Sequence, residues 1–103
     1  MNKQTKRVAV EVIKERERQD GLWGEQNHDP ILWCAILGEE VGEVNKAGLN
    51  AFNSKTSNVL NYCLKGYREE LIQVAAVAIA MIESFDRKEK IYEQETRTIT
   101  EKA

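Results

Sequence analysis

The sequence predicts an all-α protein, a helical bundle built from one domain. Three observations carry that expectation. Apolar residues recur at steps of three and four over long stretches, and no stretch alternates in the two-residue rhythm of a half-buried strand. The chain holds one proline and six glycines in 103 residues, so few positions interrupt a helix. Its breaks also fall where helix caps belong, as at Asp29-Pro30.

At 103 residues the chain is long enough for one domain and too short for two. A hydrophobic fraction of 42% and a charged fraction of 31% are those of an ordinary soluble protein. The formal net charge of -2 argues against binding nucleic acid by general electrostatics, though it leaves room for a local basic patch. The opening Met-Asn-Lys-Gln-Thr-Lys-Arg has no apolar run behind it, so no signal peptide is expected. Cys34 and Cys63 lack metal-ligand spacing and read as reduced core residues of a cytoplasmic protein, with a disulfide between helices the other option.

The first helix is expected from about Lys3 to Asp20, with a thin apolar face of Val8, Val12 and Ile13. Turn formers then gather between Gly21 and Asp29. Trp23 among them is either a lid packed on the core or a platform for a flat ligand. Glu25-x-x-His28 has the spacing of a di-iron ligand pair. It occurs once and in a loop, whereas a di-iron bundle needs two such pairs on helices.

Asp29 as N-cap and Pro30 at the first turn begin a second helix that ends near Gly48 to Asn50. On it Leu32, Ile36, Glu40, Glu43 and Ala47 share one face. Two carboxylates thus fall on an apolar stripe, where desolvation is costly unless a cation or proton answers them. Thr56 or Ser57 caps a third helix, from about Asn58 to Phe85. Leu71 to Ile82 within it is apolar at every position but Gln73. A helix apolar nearly all round must be covered all round, and so short a chain predicts self-association to do it. That run is too short to span a bilayer. The expected core covers residues 4–86, and 87–103 reads as a polar C-terminal helix or tail.

Glu70 and Gln73 share a face of the third helix, with Tyr67, Val74, Val77 and Met81 continuing it. Across an antiparallel pair, Glu40-x-x-Glu43 and Glu70-x-x-Gln73 could meet and offer only oxygen. That donor set suits Mg²⁺ or Mn²⁺, and Mg²⁺ so held commonly takes substrate phosphates as further ligands.

Glu39-Glu40-x-x-Glu43, followed after twenty-six residues by Glu70-x-x-Gln73, resembles the acidic signature of the MazG-like all-α nucleoside triphosphate pyrophosphohydrolases. Dimeric dUTPases, dCTP pyrophosphatases and phosphoribosyl-ATP pyrophosphatases are relatives, and the context is similar to small phage and prophage members. Glu17-Arg18-Gln19-Asp20, Trp23-Gly24-x-Gln26-x-His28, Trp33 and Tyr67 to Val77 carry the rest of the likeness, over about residues 8–85. The resemblance implies a helical bundle forming a dimer or a dimer of dimers. It implies Mg²⁺-dependent cleavage of a nucleoside triphosphate to the monophosphate and pyrophosphate, with no membrane or nucleic-acid partner.

Carried over residue by residue, Glu40, Glu43 and Glu70 become metal ligands. Gln73 stands where the family has an aspartate, and Glu39 orients or deprotonates the attacking water or helps hold another ion. Trp23 matches an aromatic that packs on the base in dCTP-hydrolysing relatives. The family's phosphate-binding cluster after the third helix has no clear counterpart between Arg87 and Arg97. Lys46, Lys65 and Arg68 are the cations that would replace it. Losing the aspartate charge weakens cation binding, so the rival expectation is a nucleotide-binding or regulatory helical protein without efficient turnover.

Overall fold

The computed structural model describes residues 1–102, and their side chains except those at 90–95, 98 and 102. Three helices follow one another: α1 Lys3–Trp23, α2 Pro30–Phe52 and α3 Ser57–Lys102. Among the described residues there is no strand, which bears out the all-α expectation.

Local chemistry sets each boundary. The Asn2 side chain accepts a hydrogen bond from the Thr5 backbone N–H at 2.8 Å and caps α1. α1 ends at Gly24, whose φ of 69° is left-handed and whose N–H donates to the Asp20 carbonyl. Asp29 caps α2 by accepting from the Leu32 N–H at 2.9 Å, with Pro30 following as expected. Of the two residues proposed to cap α3, Thr56 does so, its hydroxyl accepting from the Val59 N–H.

Two expected boundaries move. Trp23 is the last residue of α1 and not part of the loop. The break expected after Phe85 is absent, and α3 runs on for 46 residues in all. No proline or glycine follows Gly66, and a charged sequence such as Asp86 to Glu89 suits an exposed helix as well as a tail. Ile91 and Tyr92, among the bulkiest apolar residues of this stretch, lie outside the described side chains. A helix of this length is about 69 Å long, and it sets the longest dimension, 71 Å.

α3 is the element that both others pack on, and among the described residues the backbones of α1 and α2 do not approach each other. α2 descends α3 in the opposite sense. Trp33 near its start packs on Val77 and Ala80. Glu40 meets the turn of Glu70 and Gln73, and Gly48 lies beside Tyr67. The core is small. Trp33, 3% exposed, forms its centre with Val77 and Ala80, flanked by Ile36, Leu37 and Met81.

The buried stripe of α2 is turned by about one residue from the expected one. Trp33, Ile36, Leu37, Glu40, Val44, Ala47 and Ala51 face α3, whereas Leu32 and Glu43 are exposed. The reason is size: the Trp33 ring seats itself against α3 and carries the register with it. Expectations for the cysteines are corrected too. Cys34 is exposed and Cys63 half-buried, so neither is a core residue, and no disulfide joins them.

Candidate functional site

Glu40, on α2, is half-buried because it lies one and two turns below Ile36 and Trp33 on the packed stripe. Glu70 and Gln73, one turn apart on α3, face it. The end of the Gln73 amide lies 3.1 Å from Glu40 Oε2 and 3.3 Å from Glu70 Oε2. With its nitrogen turned inward the amide donates to both carboxylates. Turned the other way it would place an oxygen against two carboxylates, an arrangement that a shared cation or a proton on Glu40 makes favourable. Of the four polar groups expected to converge across the α2–α3 pair, Glu40, Glu70 and Gln73 meet, whereas Glu43 is exposed and stands apart.

The electrostatics follow from that closeness. Burial pushes the Glu40 carboxyl above the ordinary carboxylate range, and the charges of Glu70, Glu43, Glu15 and Glu39 push the same way. Glu43 and Glu39 contribute from the exposed flank of α2. Among the described residues, no three His, Cys, Asp or Glu side chains stand together closely enough to hold a metal ion. The closed part of the cluster is two carboxylates and one amide. Its donor chemistry is oxygen-only when the Gln73 carbonyl faces inward, which fits a hard divalent cation retaining several waters.

The remaining candidates lie further out. Trp23 is 60% exposed, so the core-lid role is not taken up. Lys46 is exposed on α2. Arg68 is committed elsewhere: its guanidinium makes a two-pronged pair with Glu11 of α1, one N–H donating at 3.0 Å. Its presence holds the Glu11 carboxyl below its usual range.

Several residues that sequence reasoning passed over shape the site. Glu15 of α1 is mostly buried and reaches the field of Glu40. Hydrogen bonding to Arg18 is the main reason its own carboxyl titrates low. Arg16 bridges α1 to Glu83 of α3 at 2.9 Å and also pairs with Asp20. Arg87 holds the α1–α2 loop through Glu25, Asn27 Oδ1 and the Gln26 carbonyl, and Lys88 donates to the His28 carbonyl at 2.7 Å. His28 in turn sits edge-on to Trp33, ring centres 4.9 Å apart, which gives it a packing role. The available signal was the Arg87-Lys88 pair one turn beyond the apolar run.

Comparison with protein-family models, curated proteins and solved structures finds no match to this chain. Among the described residues no helix is long and apolar enough to cross a membrane.

Proposed function

We propose that the chain is a Mg²⁺-dependent nucleoside triphosphate pyrophosphohydrolase of the MazG-like kind, acting as a homodimer. The observation that carries this reading is the meeting of Glu40, Glu70 and Gln73 at 3.1 and 3.3 Å across α2 and α3. Acids from two helices held half-buried against each other are costly to the fold, and a bound cation offsets that cost. Mg²⁺ on Glu40, Glu70 and the Gln73 carbonyl, with Glu43 at the margin, would neutralise charge on the triphosphate and on departing pyrophosphate; Mn²⁺ has the same donor preference. Glu39, adjacent in sequence and open to solvent, takes the proton of the attacking water. The water oxygen joins the α-phosphorus, the bond to the bridging oxygen breaks, and pyrophosphate leaves.

The homodimer rests on surface. A folded chain of 11.8 kDa is expected to expose about 5,900 Å². This one exposes 8158 Å², an excess of about 2,200 Å² per chain over that scaling. Obligate interfaces bury roughly 2,000–5,000 Å² in total, so a second copy would account for it. Leu71, Ile79, Ile82 and Phe85, the last two 61% and 57% exposed, supply the apolar face on α3.

The test is pyrophosphate release from a panel of (d)NTPs with Mg²⁺ or Mn²⁺. Turnover is expected in the native chain, and its loss is expected in Glu70→Ala and Glu43→Ala with helicity retained. A variant that keeps native turnover removes that residue from the site. A second reading, nucleotide binding without efficient turnover, is favoured by one observation: the Gln73 amide can satisfy both carboxylates without any cation. Binding with no pyrophosphate release from any nucleotide would select it.

A further inference from the structure

The packing of α1 on α3 leaves an open trough beside the carboxylates. One cavity of about 560 Å³ is lined by Lys14, Arg18, Arg68 and Gln73, among others. A second of about 760 Å³ shares Glu11, Lys14 and Arg68 with it and adds Lys6 and Arg7. The two share a wall, and the nearer one is lined by Gln73, the residue that touches Glu40 and Glu70.

Arg7, Glu11, Lys14 and Arg18 recur at steps of three and four, so a single face of α1 forms the wall. From Arg7 to Arg18 that wall runs about 16 Å. Five cations line the trough, namely Lys6, Arg7, Lys14, Arg18 and Arg68, against the carboxylates of Glu11, Glu15 and Glu69. Arg68 and Arg18 are paired with Glu11 and Glu15. Lys6, Arg7 and Lys14 have no carboxylate within ion-pair distance among the described residues. The trough thus carries surplus positive charge in a molecule whose net charge is -2.

We propose that this trough binds the phosphate chain of the nucleotide, with Lys14 as its principal counter-charge and the carboxylate-paired Arg18 and Arg68 lining the trough beside it. The inference deepens the pyrophosphohydrolase reading and rests on it for which end of the ligand lies at Gln73. A polyphosphate suits the trough better than a nucleic-acid strand. Gln73 lines the nearer cavity and touches Glu40 and Glu70, whose charge would repel a continuing phosphate backbone, whereas the metal-binding end of a short chain can stop there.

Inorganic tripolyphosphate is the probe, titrated into the full chain by calorimetry without divalent metal, at low and at high salt. The native chain is expected to bind it, more weakly at high salt. Lys14→Ala, at an exposed position, is expected to lose about tenfold in affinity, Lys14→Arg to retain it, and Glu70→Ala to leave metal-free binding unreduced. Absence of binding by the native chain overturns the proposal, as does equal binding by Lys14→Ala. So does tighter binding of a single-stranded oligonucleotide than of tripolyphosphate. Lys14-dependent binding with no hydrolysis of any nucleotide supports the trough and rejects the enzyme. Undiminished hydrolysis by Lys14→Ala at limiting substrate keeps the enzyme and rejects the trough.

Discussion

Glu40 gathers the conflicts of the sequence at one atom pair. Its carboxyl titrates high because burial and four neighbouring carboxylates all disfavour the anion. A carboxyl with a raised folded-state pKa stabilises the fold fully below its unfolded pKa and loses that contribution as pH rises through the folded value. At pH 7 the anion therefore weighs on the fold. Glu40→Gln is expected to raise the melting temperature at pH 7 in metal-free buffer, with the gain shrinking as pH falls through and below the ordinary carboxylate range. Thermal melts of both proteins across that range check it, and a gain unchanged by pH would separate Glu40 from the electrostatics. Gln73→Asp should act in the opposite sense. A third carboxylate beside Glu40 and Glu70 would lower the metal-free melting temperature and enlarge the rise on adding Mg²⁺. Equal Mg²⁺ responses in the two proteins would place Gln73 outside any cation site.

At the scale of the helices, caps and periods were legible before any coordinates. Asp29-Pro30 and Thr56 behave as their chemistry dictates, and the Asn2 cap of α1 is a further one that the structure adds. Less legible was the rotation of α2. Glu40 and Glu43 both lie within reach of an apolar stripe by spacing alone, and the seat of the large Trp33 ring decides that Glu40 faces α3 while Glu43 faces outward. Two tryptophans in one short region invite the same choice. Trp23 drew attention for its glycine neighbour, yet Trp33 is the one that packs. Removing that ring should cost roughly 3–5 kcal/mol, as for other large-to-small core changes. Urea unfolding of Trp33→Phe and Trp33→Ala, expected mild and severe respectively, measures it. The Arg87-Lys88 pair is visible in the sequence, but its partners are not, since the contacts join residues about sixty positions apart and several run through backbone carbonyls that no side-chain pattern encodes.

For the molecule as a whole, three helices sharing one small core leave much apolar surface in water, with Phe52 85% exposed and Ile82 61% exposed. The all-round apolarity of Leu71 to Ile82 foretold this, because neither α1 nor α2 can encircle α3. If a second copy covers that face, the melting temperature must rise with protein concentration. Ile82→Asp should lower it and yield monomer in sedimentation velocity. Concentration-independent melting would remove the dimer. Fold class was thus plain from pattern alone. How copies assemble depends on shape matching between surfaces, which a linear pattern does not contain.

One consequence follows from α1 meeting α3 and nothing else. Its hold consists of Val12, Gln19 and ion pairs from Glu11 and Arg16 to α3, several of them open to solvent and weakened by salt. The first helix is therefore expected to open before the hairpin of the other two. Amide protons of α1 should then exchange earlier than those around Val77, and earlier still as ionic strength climbs.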